Sequence, residues 1–357
     1  MTNYILPHID ALTTYALGEQ PPEGTTALKL NQNESPYPPS PGVLNALRTF
    51  AEEQLRRYPD PGCVQLRQLI AQQLGIEWQQ VFCGNGSSEI ISLFFKVFVG
   101  PGGRVAIPDP TFSLYHTTAA SFQASCIAVP TRDDFTIDVD ALLAADAKAV
   151  VLVNPNAPTG LLLAAEEVER LVQSFDGLVL IDEAYIDFSP QHASALPLLQ
   201  KYNNVIVLRT FSKAYALCGA RVGYCAASRE LIAALEKGRD IYNVNAISRS
   251  LALAALQDTA YLKWTVEQTV KNRSQFIRQL QQMNFDVLPS ETNFVLCRPS
   301  GAMTAERIAS ELTRRNIFIR HFPHPRINEW LRISIGTGAE LEQLLKTLAE
   351  ITGQSPQ

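Results

Sequence analysis

The sequence has no long uninterrupted hydrophobic run and no block of like charges. Its longest apolar stretch, residues 90–100, is too short to span a bilayer and contains Lys96, so it predicts a buried helix and no membrane segment. Residues 1–10 lack the basic-then-apolar pattern of a signal peptide. The formal net charge of -5 disfavours nucleic acid and anionic membranes as partners. We therefore expect small-molecule partners.

The spacing of the cysteines indicates neither a metal site nor a disulfide framework. Six of them, at positions 63, 83, 126, 218, 225 and 297, form neither a CxxC pair nor a dense framework. This pattern favours a protein of the reduced cytoplasm. The two histidines in HFPHP could suggest a metal, but no third ligand lies near them and we expect no metal site.

Seven short apolar or β-branched runs alternate with amphipathic stretches in the centre of the chain. The runs cover residues 80–83, 104–107, 125–129, 149–153, 178–181, 205–208 and 222–226. Stretches such as 164–174 have the length of a helical crossover. The pattern predicts an α/β fold with a mostly parallel seven-stranded sheet and helices on both faces.

The composition of the chain changes towards both ends. A long helical stretch at 261–283 is followed by alternating strand and helix patterns, which predict a smaller α+β domain. The predicted pieces are strands 293–297, 317–320 and 330–335 and a helix at 305–315. The first 40 residues are rich in Pro, Asn and Gly and predict an ordered arm. We expect an arm at 1–40 that contributes to the small domain, a large domain at 41–257 and a small domain at 258–357.

Polar motifs directly follow five of the predicted strands. They are GNGSSE, PDPTF, NPNAPTG, DEAY and RTFSK. Each motif alone has an ordinary structural explanation, such as a tight turn, a helix N-cap or a solvated loop lysine. In open α/β sheets, however, ligands bind outside the carboxyl ends of the strands. Because packing alone does not require all five motifs, we predict that they form one ligand site.

Two of these motifs provide the groups of a phosphate site. Gly86, Ser87 and Ser88 lie at a predicted helix start, where backbone N–H groups and the helix dipole favour anions. Hydroxyls and a positive charge come from the last motif and the residues after it: Thr210, Ser212 and Arg221.

The other motifs suit a planar heterocycle. Asp182 ends a predicted buried strand and needs a cationic partner to stay ionised, which a protonated ring nitrogen would supply. Phe112 can lie flat against a ring, and Tyr185 can hydrogen-bond a phenolate oxygen on it. Lys213 can react with a carbonyl group. Phosphate, pyridinium, phenolate and aldehyde together describe pyridoxal 5'-phosphate (PLP), held by Lys213 as a Schiff base.

The order of the motifs, ending in RTFSKAYALCGARVGY, resembles the fold-type I aminotransferases along nearly the whole chain, and most closely the histidinol-phosphate aminotransferase family. The resemblance implies an aspartate aminotransferase-like fold in which Lys213 forms the Schiff base, Asp182 partners the pyridine nitrogen and Tyr185 binds the 3'-oxygen. The other cofactor-binding positions that it implies are Gly86, Ser87, Ser88, Phe112, Asn156, Thr210, Ser212 and Arg221.

The sequence departs from the family pattern in two places. The residue before Pro-Thr-Gly is often an asparagine that binds the 3'-oxygen, and here it is Ala157. Either Asn156 takes over this contact, or Tyr185 makes it alone and Asn156 shapes the turn. Phe112 stands where tyrosine is common, which keeps the apolar face and loses a hydroxyl.

Substrate-binding residues follow from the same resemblance. Arg332 resembles the arginine that holds the substrate carboxylate, and with Arg320 it suits phosphate and carboxylate alike. Tyr15, Asn33 and Asn293 match positions on the substrate side, although capping or turn formation would also explain the two asparagines.

Tyr58, in RRYPDPG, matches a tyrosine that reaches the cofactor phosphate of the partner subunit, so the resemblance implies a homodimer. The alternative is a surface tyrosine before a proline turn.

The implied reaction is a PLP-dependent transamination between L-histidinol phosphate and 2-oxoglutarate, which gives imidazole acetol phosphate and glutamate in histidine biosynthesis. Lys213, freed by the incoming amine, would act as the general base at the substrate α-carbon. Aromatic amino-acid aminotransferases and threonine-phosphate decarboxylases share this scaffold and stay as alternatives. A non-catalytic member of the fold is disfavoured by the intact lysine, aspartate and phosphate motifs. A nucleotide-binding enzyme is disfavoured because GNGSS lacks a P-loop lysine and no GxGxxG follows the first strand.

Overall fold

The structure, a computed structural model, describes residues 4–15 and 17–353. Its α-helices are α1 Pro7–Asp10, α2 Pro41–Arg48, α3 Glu52–Leu55, α4 Val64–Leu74, α5 Gly86–Phe94, α6 Leu114–Ser121, α7 Val139–Leu143, α8 Ala165–Ser174, α9 Arg229–Gly238, α10 Ala246–Gln257, α11 Thr259–Gln282, α12 Ala305–Thr313 and α13 Gly338–Thr352. Its strands are β1 Leu28–Lys29, β2 Val81–Gly84, β3 Arg104–Asp109, β4 Ser125–Pro130, β5 Ala149–Val153, β6 Leu178–Asp182, β7 Val205–Thr210, β8 Gly223–Ala227, β9 Phe285–Val287, β10 Phe294–Pro299, β11 Ile317–Phe318, β12 Arg320–His321 and β13 Leu331–Ser334.

The predicted sheet of seven mostly parallel strands is confirmed, and its strand order is β2-β8-β7-β6-β5-β3-β4. β8 is antiparallel to both of its neighbours, whereas the other strands run in one direction. The carboxyl ends of β2, β3, β5, β6 and β7 therefore lie along one edge. The register pairs Val153 with Asp182 and Asp182 with Leu208, so the motifs after these strands begin at the same level.

Helices cover both faces of this sheet, which explains why its central strands are apolar throughout rather than alternating. All five residues of β5 are buried. On one face, the core includes Ile91 and Phe94 of α5. On the other face, it includes Leu142 of α7 and Leu171 of α8.

A second sheet, of order β12-β13-β10-β9, is antiparallel. It shares a buried cluster with α11, α12 and α13, in which Phe276 and Leu344 are fully buried. The N-terminal segment joins this unit through β1, which pairs in parallel with β11 and sets Leu28 opposite Ile317. The domain limits at residues 40 and 257 stay predictions.

Several boundaries differ from the sequence prediction for local reasons. The apolar stretch at 90–100 is the end of α5 followed by a π-helical turn, Phe95–Val99, and it stops at Gly100. α11 begins two residues early because the Asp258 side chain accepts a hydrogen bond from the Tyr261 amide as its N-cap. Within the described part of the chain, no helix is both long and apolar enough to cross a bilayer.

Candidate active site

Asp182, the last residue of β6, lies at the centre of the edge that the motifs share. Its side chain is only 3% exposed. Oδ2 accepts a hydrogen bond of 2.8 Å from the Tyr115 hydroxyl, and Oδ1 accepts one of 3.1 Å from the Ala184 amide. Burial raises the pKa of Asp182 to about 6, although both hydrogen bonds and the charge of Lys213 favour the carboxylate. Such a group is ready to share a proton with a basic ring nitrogen.

Sequence reasoning missed Tyr115. This residue is fully buried in α6, three positions after Phe112, and the two rings meet edge to face at 6.2 Å. The signal in the sequence was weak, because a tyrosine in an apolar helix is commonly a core residue. Its contact with Asp182 joins positions 67 residues apart.

Lys213 follows β7 and is partly buried. Its Nζ donates a hydrogen bond of 3.0 Å to the Gln32 carbonyl oxygen, a partner that the sequence did not reveal. Nζ also lies 5.9 Å from the centre of the Tyr185 ring. Burial, and to a smaller extent repulsion from Arg332, lower the pKa of Lys213 to about 8. An amine with this pKa is partly unprotonated near neutral pH, as a nucleophile or base must be.

The first turn of α5 forms an anion cradle with the loop after β7. Ser87 and Ser88 present first-turn amides, which have no acceptor inside the helix. Arg221, held in the left-handed region at φ 53°, bonds Ser212 Oγ at 3.4 Å and the Cys218 carbonyl oxygen at 3.0 Å.

Glycine is required in this cradle. Gly86 has φ 73°, and a Cβ there would collide with the guanidinium of Arg221. A Cβ at Gly223 would collide with the Ser87 amide. Thr210 completes the cradle by donating from Oγ1 to Ser212 Oγ at 2.9 Å.

A hydrogen-bond network fixes Tyr185 opposite the cradle. The Tyr185 hydroxyl accepts a bond of 3.0 Å from Asn33 Nδ2, which leaves its own hydrogen to donate. Asn33 has φ 56°, and its Oδ1 accepts from Ser334 Oγ at 3.1 Å. Asn293 Nδ2 donates to the Asn33 carbonyl oxygen at 3.0 Å. The contacts of Asn33 and Asn293 thus fix the local backbone, as the alternative of capping or turn formation predicts. Asn33 also orients the Tyr185 hydroxyl.

Arg332, for which the sequence predicts a substrate-binding role, is partly buried with an incomplete set of partners. Nη2 donates to the Asn31 carbonyl oxygen at 2.9 Å, but Nε has no hydrogen-bond partner among the described residues. Asn293 Oδ1 is likewise buried without a partner in that part of the chain. Burial lowers the pKa of Arg332, and a guanidinium in such a place calls for an anion.

Arg320 and Tyr15 extend this side of the site. The register of β12 and β13 sets Arg320 opposite Arg332, and both guanidinium carbons lie near the ring of Phe322, at 5.2 and 5.3 Å. The ring of Tyr15 meets Phe112 edge to face at 6.4 Å.

The comparisons with known proteins agree with this geometry. The family model for aminotransferase class I and II matches residues 25–348. The chain belongs to this aminotransferase family. Histidinol-phosphate aminotransferase 1 of Trichormus variabilis is 37% identical, over 98% of this chain and 99% of that protein. Histidinol-phosphate aminotransferase 2 of Rhizobium meliloti is 41% identical, over 97% and 98%.

A comparison with solved structures shows that the fold is also similar. The crystal structure of histidinol-phosphate aminotransferase from Sinorhizobium meliloti in complex with pyridoxal-5'-phosphate has a TM-score of 0.91 and 30% identity, over 99% of this chain and 98% of that one. The resemblance inferred from the motifs, and with it the predicted aminotransferase fold, is confirmed.

The residues of this aminotransferase fit the PLP that the motifs imply. The Gly86 cradle leaves room that a Cβ would fill, and its donors suit a phosphate. Asp182 is placed to hold a ring proton, and Lys213 has the lowered pKa that carbonyl chemistry requires. The orphaned Nε of Arg332 suits an anionic substrate.

Asn156 does not have the free donor that one sequence hypothesis gave it. Its Nδ2 donates to the Pro110 carbonyl oxygen and to Thr159 Oγ1, both at 3.0 Å, and its Oδ1 accepts from Thr111 Oγ1 at 2.7 Å. Both amide hydrogens are therefore used within the surrounding loops. These contacts favour the turn-forming role of Asn156.

Tyr58 is not brought together with the other site residues by contacts within this aminotransferase chain. It is 81% exposed, and among the described residues its ring stacks on Tyr242, with centroids 4.4 Å apart and planes 10° apart. A role for Tyr58 at the cofactor therefore requires a second subunit.

Proposed function

We propose that this chain is a PLP-dependent aminotransferase that transfers the amino group between L-histidinol phosphate and 2-oxoglutarate in histidine biosynthesis. The observation that carries the substrate class is the buried Nε of Arg332, which lacks a partner among the described residues and lies on the substrate side of Lys213. The names of the full-length relatives support the specific amine.

PLP, when bound, supplies a pyridine ring that accepts electrons from the substrate α-carbon. Asp182 would hold a proton on the ring nitrogen, and Tyr185 would donate to the 3'-oxygen. Phe112 would lie against the ring face. The phosphate is held by the amides and hydroxyls of the cradle and by one guanidinium: Gly86, Ser87, Ser88, Thr210, Ser212 and Arg221.

Lys213 would hold the cofactor through its aldehyde and, when its Nζ is free, would move the proton of the substrate α-carbon. A pKa of about 8 lets its Nζ hold or release that proton near neutral pH. The Gln32 carbonyl oxygen orients Nζ. Because burial is the largest cause of the lowered pKa, the surrounding residues that exclude water increase the unprotonated fraction of Lys213 near neutral pH.

Arg332 and Arg320 bind the phosphate of the amine in one half-reaction and a carboxylate of the 2-oxo acid in the other. Both anions present two oxygens that a guanidinium fork can bind in a bidentate way. Asn293 supplies a further polar group, and Tyr15 covers the site beside Phe112.

The active form is a cytoplasmic homodimer in which Tyr58 contributes to the partner's cofactor site. An exposed apolar surface around Tyr58 supports this arrangement: Ile241 is 68% exposed and Leu55 62%. The six cysteines are all unpaired, which supports a reducing compartment. Size-exclusion chromatography with light scattering tests the dimer, and a tightly PLP-binding monomer would contradict it.

The substrate assignment is tested by turnover of the PLP-loaded protein with 2-oxoglutarate and one amine at a time. We expect the highest kcat/KM with L-histidinol phosphate. A preference for phenylalanine would make the protein an aromatic amino-acid aminotransferase. Release of carbon dioxide from threonine phosphate would make it a decarboxylase.

A further inference from the structure

The HFPHP segment begins at His321, the last residue of β12, and continues into the loop that leads to β13. This loop reaches from the small sheet to the large one. His324 Nε2 is 3.1 Å from Oδ1 of Asp109, the last residue of β3. The backbone amide of Arg326 donates to His324 Nδ1 at 3.3 Å. Since Nδ1 accepts, the ring proton of the neutral imidazole is on Nε2 and points at the carboxylate.

Arg326 attaches the same loop at a second point. Its guanidinium donates to the carbonyl oxygens of Thr131 and Arg132, the latter at 2.7 Å, and lies 5.4 Å from the centre of the Phe135 ring. Thr131 is itself bonded to Asp109, through its amide at 3.0 Å and its hydroxyl at 3.1 Å. His324 and Arg326 therefore both form hydrogen bonds with one corner of the large sheet, where β3 and β4 end.

Each side of this contact leads directly to a part of the active site. Phe322, two residues before His324, has its ring centre 5.2 Å from the guanidinium carbon of Arg320 and 5.3 Å from that of Arg332. Asp109, on the other side, is three residues before Phe112. The contact thus sets the separation between the anion site and the ring-binding residue. His321 closes the loop on itself, with Nε2 2.7 Å from the Asn328 carbonyl oxygen.

We propose that His324 and Arg326 are positioning residues for substrate, which hold Phe322 and the two arginines at a fixed distance from the cofactor. This inference rests on the anion-binding role proposed for Arg320 and Arg332. It gives His324, the second histidine of HFPHP, a role other than metal binding. Neither His324 nor Arg326 touches the reacting atoms, so their substitution affects substrate affinity more than the chemical step.

The test compares variants of the PLP-loaded dimer. His324→Phe keeps a ring and removes both hydrogen bonds, whereas His324→Gln keeps a donor near the position of Nε2. Arg326→Met keeps the apolar stem over Phe135 and removes the carbonyl contacts. His192→Phe, at an exposed histidine of the large unit, is the matched control. The measurements are kcat, KM for each substrate, competitive inhibition by inorganic phosphate, and the dissociation constant of PLP.

We expect His324→Phe and Arg326→Met to raise both KM values and the inhibition constant of phosphate about tenfold, as the loss of one or two hydrogen bonds predicts. We expect kcat and PLP affinity to stay within about twofold, and His324→Gln to recover most of the loss. Unchanged KM values, no recovery in His324→Gln, or a parallel loss of PLP affinity would overturn the proposal.

The experiment separates this proposal from the proposed function. If the wild-type protein prefers another amine and 2-oxo acid, the substrate assignment fails. The same variants are then compared with that substrate pair, and the positioning role stands or falls on their KM values.

Discussion

The Tyr115 hydroxyl donates a hydrogen bond of 2.8 Å to Oδ2 of Asp182, and the Ala184 amide occupies Oδ1. Both carboxylate oxygens are thereby oriented before any ring nitrogen approaches. Burial and the neighbouring carboxylate raise the pKa of Tyr115 well above its ordinary value, so the phenol stays a donor throughout the physiological range. The same ring meets Phe112, which links the charge partner of the cofactor to its stacking residue.

Removing this hydrogen bond raises the pKa of Asp182 above about 6, because the bond favours the ionised carboxylate. In Tyr115→Phe we also expect the dissociation constant of PLP to increase about tenfold, as for the loss of one hydrogen bond to a charged group. Carboxyl-carbon NMR of the cofactor-free protein measures the pKa. Tyr202→Phe is the control, since Tyr202 donates to Glu169 at 3.1 Å at the surface. Equal effects of the two substitutions would contradict the prediction.

Asp182 makes the stability of the cofactor-free protein depend on pH. Its folded pKa of about 6 lies above the ordinary value of 3.8. Between these values the folded state holds more protons than the unfolded state, so the free energy of unfolding falls as pH rises. Asp182→Asn lacks this contribution. We therefore expect the stability of the wild type relative to Asp182→Asn to decrease from about pH 4 to 6 and then level off.

Urea unfolding at a series of pH values measures that difference. PLP serves as an internal control, because a cationic ring nitrogen lowers the pKa of Asp182 and so removes the effect. A wild-type and variant difference that is constant across the window would show that Asp182 titrates normally.

Arg332 lowers the pKa of Lys213 by charge repulsion, in addition to the larger effect of burial. In cofactor-free Arg332→Gln, the pKa of Lys213 should rise above about 8. The pH dependence of its rate of modification by an amine-selective reagent reports this value. Arg298→Gln, at a half-exposed arginine that pairs with Asp286, should leave it unchanged. A pKa that does not move in Arg332→Gln would leave burial as the cause.

A comparison of alanine substitutions at Gly86 and Gly102 separates the effect of backbone strain from the effect of losing the anion cradle. Gly86→Ala introduces strain at φ 73° together with a collision with Arg221, whereas Gly102→Ala introduces strain at φ 74° with no atom within 4 Å of the new Cβ. We expect both to lose about 1–2 kcal/mol of stability, and only Gly86→Ala to weaken PLP binding as well. Thermal unfolding and a PLP titration measure the two effects. Equal PLP affinity in both variants would place the phosphate elsewhere.

The sequence predicted the strands of the large sheet and the polar motifs that follow them, because this pattern repeats along the chain. Each strand ends in a motif, and the parallel arrangement brings the motifs to one edge, so Asp182 and Lys213 could be recognised from position and residue type. The phosphate-binding groups at Gly86, Ser87 and Ser88 were predicted from the helix start that follows β2. These are local signals that the topology then brings together.

Contacts between distant residues gave no such signal. The Gln32 carbonyl oxygen that orients Lys213 is 181 residues away in sequence, and any residue type supplies a carbonyl. Asn156 illustrates the converse, because its residue type suited a ligand while its three loop partners leave no hydrogen to donate. For His324 the sequence led us to expect no metal, and it gave no sign of the partner that the structure shows, Asp109 on another sheet.

The absorbance of the PLP-loaded protein on addition of L-histidinol phosphate alone tests the central claim most directly. The account predicts that the wild-type cofactor spectrum converts without any 2-oxo acid and returns when 2-oxoglutarate is added, whereas Lys213→Ala binds PLP and shows neither change. An unchanged wild-type spectrum, or conversion of Lys213→Ala at the wild-type rate, would contradict it.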